Sequence, residues 1–400
     1  MKELDAAAAF ARIGPVAAEV DRALAALDAR VDWLTRLTPV NLDEVRSGFR
    51  ASGFKRLPPL AYDDGLPDLD SARDELLALP LRRVEDGLIE TLLMEKQREI
   101  DRQLELVRLR GKPGFLMAAV DLFGRVDGRL LDAAERVLVA VPDAPEPPGD
   151  LVRSAAFRRM AEAELAAYRE ADPGLRSRVV EDPVKGTHIH VSLGDLHVAC
   201  DFRVPRSQCL PLLHHEIGTH VLTRHNGRQQ PLRCLAAGLA DYDDLQEGLA
   251  VLAEHLCGHL PASRLRLLAA RVVAAEMAVR EEPAAEVYAA MRDRCGLAEE
   301  PAFSTTVRAL RGGGMTKDAL YLGGLRALLD HLKHGGGFEV LFLGKFALKH
   351  LHVLEKLLER DTLVGPALLP RYLQDPAARR RLEEARSLGL TDLWQKAPAP

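Results

Sequence analysis

Apolar residues recur at helical spacing over most of the 400-residue chain. Val20, Leu24 and Leu27 lie three or four apart in an Ala-rich stretch, which predicts a helix over 5–31, interrupted near Pro15. A loop follows around Leu57, Pro58 and Pro59. Between 83 and 110, Leu88, Leu92, Ile100, Leu104 and Leu106 alternate with charges as in an amphipathic helix. Its charged neighbours, Glu95 and Glu99 beside Lys96 and Arg102, predict a solvated face. Residues 152–171 again read as helix. The period changes over 186–204, where alternation, β-branched residues and a central Gly194-Asp195 predict two strands joined by a tight turn. From 207 onward the helical pattern returns, broken by Gly312–Gly314 and by Gly335–Gly337, the latter expected to end a helix. The fold class is therefore mainly α with one small β-sheet, an α+β chain.

The sharpest break is Pro142–Gly149, whose prolines predict a stiff extended connector. It divides the chain into a helical N-terminal region (1–80), a helical segment (81–141), the connector (142–149), a large unit (150–390) and a tail (391–400).

Hydrophobic residues at 47% and charged residues at 28% exclude wholesale disorder. The 54 basic against 59 acidic side chains, a net charge of −5, argue against a nucleic-acid binder working through phosphates. No apolar run approaches the ~18 residues of a membrane span. The N-terminus lacks the basic start and apolar middle of a secretory signal. Five cysteines without a CxxC pair suit reduced thiols, so a cytoplasmic location is expected. Cys209 and Cys234 read as plain buried thiols. A phosphate loop GxxxxGK[ST] and a GxSxG elbow are both missing.

Histidine is concentrated. Of 13, six lie between 188 and 220, and His225, His255 and His259 follow. His188 and His190 would share one face of a strand, a sheet surface or a substrate-lining wall. Within the cluster runs His214-His215-Glu216-Ile217-Gly218-Thr219-His220. Zinc hydrolases commonly show HExxH, with imidazoles at i and i+4 and the glutamate as base. Here the second histidine falls at i+5, giving HExxxH. In an ideal α-helix i+5 lies ~140° round from i, too far to share an ion. A π-type bulge, which closes i to i+5, would return both imidazoles to one face, and Gly218 marks the place where the helix distorts most easily. A pairing of Glu216 with His220 at i,i+4 needs no bulge but consumes the carboxylate. The reading adopted takes His215 and His220 as ligands and leaves Glu216 free.

Catalytic zinc usually has three protein ligands and a water. Glu247, on a second helix opened by the cap signal Asp243-Asp244, is a candidate third ligand; Glu254, His255 and His225 are its rivals.

The stretch from Leu213 to Leu260, with HHEIGTH and the run Gln246-Glu247-Gly248-Leu249-Ala250, resembles the QEGLA-motif family. Its bacterial members are labelled flavohemoglobin expression-modulating proteins, and its eukaryotic relatives are microtubule-associated tyrosine carboxypeptidases. Arg308, Arg311-Gly312-Gly313-Gly314, Thr316-Lys317-Asp318, Tyr321-Leu322 and Gly344-Lys345 match the family's later signature, so the resemblance covers about residues 85–373. It implies a zincin-like metallopeptidase core in 150–390, Zn2+ on His215, His220 and Glu247, and Glu216 as catalytic base. It also implies a peptide or protein C-terminus as substrate; the charge balance and the lack of a long apolar run leave neither nucleic acid nor membrane expected as a partner. The preferred terminal residue and the oligomeric state do not carry over.

An exopeptidase must neutralise the substrate's free carboxylate, and arginine does so with a two-pronged fork. Arg308, Arg311 and Lys317, beside the glycine-rich turn, are candidates for that task, and Tyr321 for an oxyanion donor. Two other classes stay open: a regulatory protein with a structural metal, and a zinc amidase acting on a non-peptide amide.

Overall fold

The computed structural model describes residues 11–63, 65, 68–143, 149–183 and 189–395. The first part of the predicted 5–31 helix, residues 144–148 of the connector, His188 and the last five residues lie outside these.

The main helices run in chain order as α1 (Pro15–Val31), α2 (Leu42–Ala51), α3 (Leu69–Leu77), α4 (Gly87–Arg108), α5 (Phe115–Phe123), α6 (Gly128–Ala140), α7 (Ser154–Ala171) and α8 (Arg206–His215). They continue as α9 (Leu222–Arg228), α10 (Asp243–Leu256), α11 (Ala262–Val279), α12 (Glu299–Leu310), α13 (Leu320–Lys333), α14 (Leu351–Glu359) and α15 (Pro376–Ala385). Five short strands fall between α6 and α8: β1 (Leu151–Arg153), β2 (Val179–Asp182), β3 (Ile189–Ser192), β4 (Asp195–Ala199) and β5 (Arg203–Pro205).

The mainly α character holds, but the single predicted sheet is two. β1 pairs antiparallel with β5, and β4 sits between parallel β2 and antiparallel β3. The β3–β4 hairpin turns one residue earlier than expected. Leu193 and Gly194 take positive φ (49° and 94°), and Asp195 already pairs with Ser192. A two-residue loop with both φ values positive follows the strand twist, which is why the turn settles there. Both strands of the hairpin abut the segment Glu216–Val221.

One core gathers side chains from Ile13 to Leu393, so residues on both sides of 142–149 share it. A second cluster joins Val45 and Phe49 of α2 to Ala274, Val287 and Phe303. A third packs Leu37, Leu106 and Phe115 against Met315. Phe115 also explains the triple glycine. Gly312, Gly313 and Gly314 all have positive φ, and a Cβ on Gly312 would lie 2.2 Å from the Phe115 ring. As expected, Gly335, with φ +82°, follows the end of α13.

The charged face of α4 departs from expectation. Lys96 has no exposed surface and Glu99 very little. Lys96 Nζ meets Glu99 at 2.6 Å and Asp28 of α1 at 2.9 Å, while Glu99 also accepts from the Asp241 backbone N–H at 2.8 Å. Burial opposes the charge on Lys96, but the two carboxylates outweigh it and raise its pKa. The i,i+3 spacing looked like surface because the third partner, Asp28, is 68 residues away. Arg102 does stay near solvent, 3.1 Å from Asp121.

Helices α10 and α13 touch through backbone. A Cβ on Gly248 would fall 2.6 Å from the Gly324 carbonyl carbon, and one on Gly324 would fall 1.8 Å from the Asp244 carbonyl oxygen. No side chain fits at that crossing, which fixes the height of neighbouring Glu247 on α10.

Removing one partner from a buried ion cluster strands the others. Lys96→Met should cost about 3–5 kcal/mol in urea unfolding, with unchanged m-value. Gly324→Ala should push α10 and α13 apart and lower stability by about 1–3 kcal/mol. The same unfolding measurement, with Gly323→Ala as control near the looser Leu130 contact at 3.4 Å, checks this.

Candidate active site

The helix that carries HHEIGTH changes its winding at the glutamate. α8 ends at His215, residues Glu216–Val221 form a π-helical segment, and α9 resumes at Leu222. The i-to-i+5 closure read from HExxxH is therefore present. Thr219 supports it: its hydroxyl donates to the His214 carbonyl, five residues back, at 3.1 Å. Gly218 works differently from the expectation. It is not among the glycines with positive φ; instead a Cβ there would sit 3.2 Å from His214 Nδ1. Glycine supplies space for a ring rather than freedom for the backbone.

The bulge puts the imidazoles of His215 and His220 5.3 Å apart, centre to centre. Glu247 faces them from α10. Its Oε2 lies 3.9 Å from Nε2 of both histidines, and one ligand atom from each of the three residues falls within 4.8 Å of the others. That Oε2 is buried and makes no hydrogen bond. An unsatisfied buried carboxylate oxygen is costly unless a cation or donor completes it. A tetrahedral ion with ~2.0–2.1 Å bonds wants ligand atoms ~3.4 Å apart, so Glu247 would have to close by roughly half an ångström on each imidazole for the three to hold a zinc-sized dication.

Glu216 is buried beside the triad, with Oε1 4.0 Å from His215 Nε2. Burial, reinforced by Glu247 and Glu254, pushes its carboxyl up to about 7 against the opposing pull of His215.

The rivals for third ligand go elsewhere. Glu254, two turns along α10 from Glu247, stands behind His215 and accepts from its Nδ1 at 2.8 Å. Holding the proton on Nδ1 turns the Nε2 lone pair toward Glu247. Arg264 of α11 grips Glu254 with Nε and Nη2 at 3.2 and 3.1 Å. Burial alone would raise the Glu254 carboxyl, but Arg264 and His215 bring it down to about 2. His225 pairs with Asp172 at 2.8 Å, and His255 Nδ1 meets the Leu393 carbonyl at 2.8 Å. His214 points away, its ring edge-on to Tyr372.

The predicted cap of α10 is also revised. Tyr242 occupies the cap position without a side-chain bond, and Asp243 and Asp244 lie in the first turn. Asp243 instead receives Lys317 Nζ at 3.1 Å.

The basic candidates are held in unequal ways. Arg308 forks onto Asp318, with Nη2–Oδ1 at 2.6 Å and Nε against Oδ2. Lys317 is spent on Asp243. Arg311 is buried, its Nε against Met315 Sδ at 3.2 Å. Tyr321 stands at the start of α13, its hydroxyl pushed up to about 12 by burial and by Glu247. Arg271 of α11, which no motif marked, lies 5.2 Å from the Tyr321 ring centre. The roles of Arg264, Arg271 and Asp318 were invisible in the sequence because each depends on a neighbour from another helix. Cys209, Cys234 and Cys295 are buried thiols without disulfides, as expected of the first two.

The sequence model of the microtubule-associated tyrosine carboxypeptidase family matches residues 47–388. The chain belongs to that family, and membership implies a carboxypeptidase acting on protein C-termini. The match begins well before the motif-bearing stretch that suggested the resemblance, taking in the second half of α2 and all of α3. A search of curated proteins finds no match. Among the described residues, no helix is long and apolar enough to cross a membrane.

Glu254→Gln should keep the fold but lose the charge that orients His215. Zinc affinity measured by competition with a chelator should fall by about 10–100-fold.

Proposed function

We propose that the chain is a zinc-dependent metallocarboxypeptidase with a zincin-like core, tyrosine-carboxypeptidase-like in that it removes a C-terminal residue. The observation that carries this reading is the unsatisfied, buried Glu247 oxygen equidistant from two imidazoles, with a spare glutamate alongside. His215, His220 and Glu247 would hold the ion, and Glu254 with Arg264 would fix His215. Zinc in such a site supplies Lewis acidity and a water made acidic enough to attack a carbonyl near neutral pH.

The chain's own groups do the rest. Glu216 takes the proton of the attacking water and delivers it to the leaving amine nitrogen, as a buried carboxyl beside the ligands is placed to do. Tyr321 offers its hydroxyl to the developing oxyanion. Glu216 is buried in the π-segment, against which the β3–β4 hairpin packs. An exopeptidase also needs a positive group for the substrate's terminal carboxylate, which separates it from an endopeptidase. A cytoplasmic location remains part of this proposal, resting on cysteine usage.

A structural metal in a regulatory protein is disfavoured by Glu216, since a closed site needs no acid beside its ligands. An amidase on a non-peptide substrate shares the same core chemistry and differs in what it accepts.

Digestion of a library of C-terminally varied peptides, read by mass spectrometry, should show shortening by one residue. Shortening should stop on chelation and return with zinc. Glu216→Gln should bind zinc as tightly as the parent while kcat falls by at least about 100-fold. Full activity in that variant would remove Glu216 from the mechanism, and metal binding without any turnover would favour the structural reading.

A further inference from the structure

Three guanidinium groups converge beyond Tyr321, from α11, from the end of α12 and from the turn after it. Two of them, Arg271 and Arg308, share one carboxylate, that of Asp318. Arg308 commits two nitrogens to Asp318. Arg271 Nε is 4.0 Å from Asp318 Oδ2, too far for a hydrogen bond, and it is buried with its bond unmade. The Arg271 side chain is only 14% exposed, and its guanidinium rests over the Tyr321 ring. Arg311 is similarly enclosed and finds only a thioether. Asp318 is the carboxylate within ion-pair reach of both Arg271 and Arg308, and no ion pair is made by Arg311 among the described residues, so cations outnumber their direct partners in this largely buried place. Two neighbouring cations are matched, Arg264 by Glu254 and Lys317 by Asp243.

Buried charge of one sign is retained in a protein when something of the other sign arrives. Burial and the closeness of Arg308 push both Arg271 and Arg311 below the ordinary guanidinium pKa, the mark of cations crowded without enough counter-charge. The place is also tied to the chemistry. Tyr321 lies under Arg271 on one side and feels Glu247 on the other.

We propose that Arg271 and Arg311 form the subsite that takes the free α-carboxylate of a peptide's last residue, while Arg308 is a positioning residue that holds Asp318 beneath them. This deepens the carboxypeptidase reading and rests on it. It also reassigns the grip on substrate: Arg308 and Lys317 have their donors occupied, and Arg271 enters. A carboxylate here would offset part of that excess of cations and satisfy the stranded Nε.

The test uses the full chain carrying Glu216→Gln, loaded with zinc so that nothing is turned over. An N-acetylated tetrapeptide ending in tyrosine is titrated calorimetrically as free acid and as C-terminal amide. The acid should bind at least about tenfold more tightly, and the gap should narrow as salt rises from about 50 to 500 mM. Adding Arg271→Gln should collapse the gap while moving the amide less than about twofold, and Arg271→Lys should restore part of it. Equal affinity for acid and amide, or a gap that survives both Arg271→Gln and Arg311→Gln, overturns the proposal. If Arg271→Gln does not fold, the salt series on the zinc-loaded parent decides, and a salt-independent preference counts against it. Hydrolysis separates the two readings. Wild-type cleavage of acid and amide at equal rates removes this subsite and leaves a peptidase. An Arg271-dependent preference for the acid without any cleavage keeps the subsite and removes the peptidase.

Discussion

A turn of helix closed over five residues instead of four holds this site together. His215 and His220 can look the same way only because Glu216–Val221 is wound as a π-segment, and every other part of the centre is arranged around that departure. A π-turn gives up regular packing and needs support from outside its own backbone. The support is visible: the Thr219 hydroxyl on the carbonyl five residues back, the His214 ring filling the space over Gly218, and the β3–β4 hairpin packed against the segment.

The second half of the centre comes by a different route. Glu247 reaches the imidazoles because α10 and α13 approach until glycine meets backbone at Gly248 and Gly324. The same helix then uses Glu254, two turns on, to hold His215 from behind, with Arg264 behind that. One helix thus supplies both the carboxylate facing the two imidazoles and the one that orients His215. Their environments differ sharply: Glu254 is hydrogen-bonded and charge-matched, whereas Glu247 has an oxygen left over.

Charge is handled by the same logic elsewhere. Lys96 is buried because Asp28 and Glu99 meet it there, linking α1 and α4 beneath the Asp241 backbone that leads into α10. Around Tyr321 the sum does not close, and the difference between these two places separates a cluster that holds the fold from one that waits for a ligand.

The amino-acid pattern by itself determined a good deal: the helical character, the change of period near 186–204 and the bulge demanded by HExxxH. All of these depend on residues close in sequence, where helix geometry alone limits the possibilities. Choosing among Glu247, Glu254, His255 and His225 required knowing how α10 crosses the π-segment. The burial of Lys96, the capture of Arg308 and Lys317 by nearby acids, and the exposure of Arg271 to Tyr321 were likewise decided by tertiary structure. Each is a contact between chain segments whose separation no local period encodes, and a charged residue reads the same in sequence whether water or a distant carboxylate surrounds it.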